Sequence, residues 1–178
     1  TMAPGIADPM IECSNEAIRL LMDPLNVTWF QIIKKKSTMQ PFSLEDAEEL
    51  LGIIQINACV CTAAGSMYIQ QMSNIFSSVM YLFHTSSEYI SLASKKQGKS
   101  ASRCPQYKAA HAVKVDVLKL LTSFLVTIRD VNNGVDTIRT TFLPALKNVV
   151  LAEYKTSPAA IRDAEAITLF ATCADTLK

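Results

Sequence analysis

Cys59 and Cys61, two positions apart, form the most suggestive chemical pair in the sequence. Thiolates at short spacing bind zinc, but zinc takes four Cys, His or carboxylate ligands, and no second pair follows this one. On a helix, positions two apart also point roughly 200° from each other around the axis. One thiol is therefore expected to face the core and the other an adjacent helix. Gly98-Lys99-Ser100 has the ending of a phosphate-binding loop. The upstream glycine of that pattern is replaced by Ala93 and no strand precedes it, so a flexible linker is expected. His84 and His111 stand alone without an HExxH pattern and read as half-buried or surface histidines. No Gly-rich nucleophile turn accompanies a Ser or Cys. Met67, Met72 and Met80 read as packing residues, not a cofactor box. Asn26-Val27-Thr28 fits a glycosylation acceptor, but no secretory signal is recognised, so it reads as a helix-start feature. The sequence thus predicts no enzyme, no catalytic residue, no metal site and no cofactor, and assigns no binding residue.

Two basic clusters remain. Lys34-Lys35-Lys36 sits where a helix is expected to end, and positive charge there complements the helix dipole. Lys95, Lys96, Lys99, Arg103 and Lys108 form a longer run with no acidic residue among them. A solvated linker is the plain reading; an acidic partner surface or nucleic acid is the sharper one. Stacking aromatics are not interleaved as single-strand binding needs. The net charge of +1 advertises no polyanionic partner. Cys13, Cys59, Cys61, Cys104 and Cys173 are an odd, scattered set and read as reduced thiols of the cytosol or nucleus. No membrane span is expected from the apolar run lengths.

The elements that must position these residues are helical throughout. Hydrophobic residues make up 49% of the 178 and only five are glycine, which disfavours a β-rich fold. Helical spacing predicts a first helix from Pro9 to Met22, capped by Asp8, and a second opened by Asp23-Pro24 and running to Ser37. A third starts at Ser43, carries Leu44, Ala47, Leu51, Ile54, Ala58 and Cys61, and stops at Gly65. A fourth runs from Ser66 to Lys96 with Ile69, Met72, Phe76, Val79 and Phe83 on one face, ended by Gly98. Pro105 opens a fifth with Ala110, Val113, Val117, Leu121, Phe124 and Ile128. Asn132-Asn133-Gly134 is a turn signal. The sixth carries Val135, Ile138, Phe142, Leu146 and Val149, with a kink expected at Pro144. Ser157-Pro158 opens a seventh with Ile161, Ala164, Ile167 and Ala171. The fold class expected is an all-α superhelix of HEAT-like repeats, about three antiparallel helix pairs plus a half. Residues 1–7 are expected to be a tag or disordered start, and 8–178 a segment of a larger solenoid.

One stretch is more specific. Phe142-Leu143-Pro144, Leu146, Val150-Leu151, Glu153-Tyr154, Pro158-Ala159-Ala160 and Arg162-Asp163 follow one another in a recognisable order, with Ile161 inserted before the arginine. Pro24, Asn26, Trp29 and Ile32-Ile33, then Asn57, Cys61, Ala63 and Gly65, agree upstream in the same order. Together these patches resemble a C-terminal-half stretch of the exportin-1 family of nuclear export receptors, in the importin-β superfamily. The linker from Gln97 to Arg103 and the start of the sixth helix match poorly, as in a divergent member.

The resemblance implies a ring-like superhelix that binds leucine-rich export signals together with the GTP form of the small GTPase Ran. It would pass nucleoporins and shuttle between nucleus and cytoplasm, with no membrane and no small-molecule substrate. The family's signal-binding groove and reactive cysteine lie upstream of this stretch, so no cargo-binding residue is carried over, and none for Ran. The competing readings are a generic helical-repeat scaffold or adaptor subunit, and a nucleic-acid-binding helical module using Lys95 to Lys108.

Overall fold

The computed structural model describes residues 9–37, 44–129, 131 and 133–178. The expected tag at residues 1–7, the Asp8 cap, the Ser43 start and Asn132 fall outside them. Among the described residues there is no strand. Six helices account for nearly all of the described residues: α1 (Pro9–Ser37), α2 (Leu44–Ala64), α3 (Tyr68–Gln97), α4 (Pro105–Ile128), α5 (134–156) and α6 (Ala164–Thr176).

Side-chain contacts fix how they stack. Gln55 bonds Asp116 and Cys61 bonds Thr127, so α2 and α4 run parallel. Lys114 in the first half of α4 meets Asp163 at the entrance of α6, and Arg129 after α4 lies near Asp175 at the end of α6, so these two are also parallel. Between layers the sense reverses. Tyr68 meets Phe124 while Phe83 meets Lys114, so α3 is antiparallel to α4. Phe124 meets Phe142 while Lys114 meets Glu153, so α4 is antiparallel to α5. One layer is therefore α2, α4 and α6, and the other α1, α3 and α5, with α1 packed on both α2 and α3. Hairpins lying side by side, each touching the next, are the repeat architecture the periodicity predicted.

The pair count differs. The expected helices 9–22 and 23–37 are one helix, with Pro24 inside it. An internal proline costs roughly 3 kcal/mol through its missing amide and steric clash. Leu25 and the fully buried Trp29 follow directly, and Trp29 Nε1 donates to Ser78 Oγ at 2.7 Å on α3. That anchoring outweighs the local penalty, and Asn26 lies mid-helix, not at a helix start. The described residues thus form two full pairs, α2–α3 and α4–α5, preceded by α1 and followed by α6.

The glycine stops behave as expected. Gly65 (φ 55°) and Gly98 (φ 57°) take left-handed backbone values that end α2 and α3. Short 3₁₀ turns follow, at Gly65–Met67 and Gly98–Arg103. An 18-residue window within Ala47–Arg103 does reach a mean hydropathy of 1.6 with few charges, contrary to expectation. Gly65 divides that run into α2 and α3, each of which packs on α4.

The distortion expected at Pro144 takes the form of two π-helical turns, Ile138–Phe142 and Lys147–Leu151, flanking Leu143–Leu146. The buried hydrophobic side chains of α5 are Ile138, Phe142, Leu146 and Val150, four apart throughout, with Val150 in place of the expected Val149. At 3.6 residues per turn such a stripe drifts by about 40° per step. The underwound π turns cancel the drift and keep the stripe on α3 and α4. In α6 the expected stripe is wrong. The helix starts at Ala164, not at Pro158, and buries Ala166, Leu169, Cys173 and Thr176. Ala164, Ile167 and Ala171 are exposed. Ser157, Pro158, Arg162 and Asp163 adopt ψ values between 133° and 144°, so the chain crosses between layers in extended corners.

Two glycines give opposite expectations. A Cβ on the buried Gly134 would overlap the carbonyl oxygen of Ile128, whereas one on Gly52 in α2 meets nothing. Thermal unfolding should show Gly134→Ala losing roughly 2 kcal/mol or more and Gly52→Ala gaining about 0.5–1 kcal/mol.

Candidate functional site at the α4, α5 and α6 junction

α4 is apolar almost all round, with Val113, Val117, Leu118, Leu120, Leu121, Phe124, Leu125 and Ile128 buried. One cation lies in that surface. The Lys114 side chain is only 2% exposed, and its Nζ lies 2.7 Å from Asp163 Oδ2 and 3.0 Å from Glu153 Oε1. Its ammonium also sits 5.5 Å above the Phe83 ring. A buried charge is tolerated only when paired and hydrogen-bonded, and here both conditions are met from three helices.

The carboxylates are held in turn. Asp163 Oδ1 lies 2.8 Å from His111 Nε2, one turn before Lys114 on α4. Glu153 Oε1 accepts from the buried Ser157 Oγ at 2.8 Å. Asp163 occupies the N-cap position of α6 but makes no side-chain cap bond; its carboxylate turns toward α4. The Asp163 hydrogen bond raises the His111 pKa above 6.5 against the opposing pull of partial burial. Burial alone would raise the Asp163 pKa, but bonds from His111 and Lys114, with their positive charge, hold it below 3.8. Among the described residues no thiol or hydroxyl bonds His111. Chemically the cluster is a tie joining α4, the end of α5 and the entrance of α6.

The sequence candidates fall elsewhere. Cys61 is buried, donates to Thr127 Oγ1 at 3.6 Å, and is pushed up to about 11 by burial despite that bond. Cys59 is exposed to solvent and not set against a neighbouring helix as expected. Met72 and Met80 lie in the core with Met67 packed at its margin. His84 is exposed, while His111 is not isolated. Among the described residues no group of three His, Cys, Asp or Glu is placed to hold a metal. Lys34, Lys95, Lys96, Lys99, Arg103 and Lys108 are all exposed. Glu153 and Asp163 belong to the stretch that carries the family resemblance, whereas no motif in the sequence marks Lys114.

The tie predicts a specific pattern of stability. Lys114→Met leaves Asp163 buried without its cation and should cost about 3–5 kcal/mol, whereas Lys114→Met with Asp163→Leu should recover most of it. Chemical denaturation of the single and double variants measures this. The His111 interaction stabilises below about 6.5 and is lost as pH climbs through its raised folded value. The Asp163 interaction stabilises above 3.8 and is lost as pH falls through its lowered folded value. Melting temperature against pH should therefore be highest between those limits, and His111→Gln should remove the decline on the alkaline side and, by taking one donor and its charge from Asp163, move the acid-side decline to higher pH.

Comparison with known proteins covers the same helices. Residues 71–178, spanning nearly all of α3 through α6, match the family described as CRM1 C terminal. Protein EXPORTIN 1B of Arabidopsis thaliana is 30% identical over 159 residues, 88% of this chain and 14% of its own length. Exportin-1 of Schizosaccharomyces pombe is 27% identical over 128 residues, 72% of this chain and 12% of its own. Exportin-1 of Dictyostelium discoideum is 27% identical over 177 residues, 95% of this chain and 16% of its own. The chain therefore spans about one-seventh of the length of the Arabidopsis relative. With the match running through the helices that carry the ion cluster, the chain belongs to the exportin-1 family and corresponds to its C-terminal region.

Proposed function

We propose that this chain is a stretch of the superhelix of a nuclear export receptor. That receptor carries leucine-rich-export-signal cargo with GTP-bound Ran through the nuclear pore, past nucleoporins, between nucleus and cytoplasm. The observation that carries the reading is family membership over residues 71–178 on a side-by-side hairpin stack. The contribution of this stretch is mechanical and not catalytic. Each hairpin contacts only its neighbours, so small rotations at successive junctions sum to a change in curvature that brings distant binding surfaces together. The tie at Lys114 fixes one such junction. Exposed Leu20, Leu21, Val27 and Phe30 on α1 are consistent with a neighbouring repeat packed there, as in an interior segment of a longer solenoid.

The test uses the full-length receptor that contains this stretch. An immobilised leucine-rich export peptide should retain the receptor much more strongly with Ran loaded with GTP than with GDP. Equal retention in both nucleotide states would discard the transport reading and leave a generic repeat scaffold.

A further inference from the structure

The connection from α3 to α4 is not a loose linker. Its 3₁₀ turn buries Ala101, which packs with Ile90, Tyr107 and Ala110 in a small apolar cluster separate from the main core. Ile161, from the connection between α5 and α6, packs on the same cluster. Two alternate inter-helix connections, α3–α4 and α5–α6, are thus pinned side by side at one edge of the stack. The first displays Lys95, Lys96, Lys99, Arg103 and Lys108, and the second Lys155 and Arg162, all exposed.

The acids near this edge are turned away from it. Glu153 and Asp163 point inward to Lys114, and Ser157 and His111 take their remaining bonds. Glu165 lines the groove between α4 and α6, and Glu88 lies more than two turns before the end of α3. Arg162 is held in place: its Nε donates to the Ser157 carbonyl at 2.9 Å and its guanidinium stacks 5.2 Å above the Tyr154 ring. Among the described residues, none of Lys95, Lys96, Lys99, Arg103 and Lys108 forms an ion pair. The first turn of α4 holds Lys108 and no acid, although a helix start favours negative charge. In a chain whose net charge is only +1, this is a segregated basic surface on a rigid footing.

We propose that this edge binds an acidic polypeptide segment, rich in Asp and Glu, laid across the two connections. Carboxylates suit the arrangement because the lysines act as independent point charges along an extended path. Nucleic acid suits it less well. Tyr107 is buried in the apolar cluster, Tyr89 packs against it, and Tyr154 packs on the main core beneath Arg162, so these rings serve the fold instead of forming a row of stacking platforms. The binding is electrostatic and exposed, hence weak and salt-sensitive.

Fluorescence anisotropy of the intact receptor chain with a labelled peptide of alternating Glu and Ser tests this. The peptide should bind, its Gln counterpart should not, and affinity should fall several-fold from about 50 to about 150 mM salt. Lys99→Glu/Arg103→Glu/Lys108→Glu should weaken binding roughly tenfold or more. The same charge change made elsewhere, Lys119→Glu/Arg139→Glu/Lys147→Glu, should leave it within about threefold. All six side chains are exposed, and the triple Gln variant of the edge, with unchanged melting temperature, guards against misfolding. No binding of the Glu peptide, equal loss in both triple variants, or tighter binding of a single-stranded or duplex oligonucleotide would overturn the proposal.

Discussion

Everything in this structure is organised around what α4 must bury. A helix placed between α2 and α6 in its own layer, and against α3 in the other, has almost no face left for water. Its residues from Val113 to Ile128 are accordingly apolar on nearly every side. A single lysine in such a surface would be intolerable alone, because transferring an unpaired ammonium from water costs far more than one packed side chain returns. Lys114 is tolerated because α5 delivers Glu153 and α6 delivers Asp163 to the same point. The apolar faces of α4 make the helices gather, and the one buried cation decides where the last two stop. Apolar contact tolerates sliding along a groove, whereas an ammonium between two carboxylates does not. The pairing adds definition of register more than stability, since a well-packed apolar replacement of a buried pair is often as stable.

That division explains which parts of the fold were legible in the sequence. Helices α2, α3 and α4 were readable because their own residues decide them: glycines with positive φ at 65 and 98, a proline opening at 105, and stripes at helical spacing. The merger of the first two expected helices was not readable at Pro24. The local cost of a proline was visible, but the contact of Trp29 with Ser78, forty-nine residues away, was not. The entrance of α6 failed for a related reason. Ser157-Pro158 looks like a helix start, yet the Ser157 hydroxyl is committed to Glu153, and the chain makes only a 3₁₀ turn at Ala159–Ile161 between extended corners before Asp163 reaches Lys114. Local capping signals lost to a tertiary ion pair.

One missed feature did leave a trace. Ile138, Phe142, Leu146 and Val150 recur at four-residue intervals, a period that an α-helix cannot keep on one face for three steps. A strict four-residue stripe around a proline is a statement about winding, and the π turns answer it. The ion cluster left less. Lys114, Glu153 and Asp163 are unremarkable charges in sequence, and only the stacking order brings them together. The resemblance patch containing Glu153, Arg162 and Asp163 carried the information without its reason. Glu153 and Asp163 join the last two helices to α4, and Arg162 closes the end of α5 on the Ser157 carbonyl.

The same cluster shapes the outer surface. Of the charges at this edge, the two carboxylates that could neutralise it are drawn inward by Lys114, and what remains outside is basic. Electrostatic segregation of this kind follows from the tie without needing a separate cause for each lysine, but the tie does not account for Lys108 at the start of α4. There the helix dipole opposes a cation, and a glutamate would be the locally favoured choice, as Glu165 is for α6. A residue that works against its own helix, on a turn fixed by Ala101 and Ile161, has its compensation outside the chain. Were the lysines merely solvated, nothing would require the connection beneath them to be packed. The buried footing and the unfavourable cation together argue that this edge is shaped to meet something negatively charged.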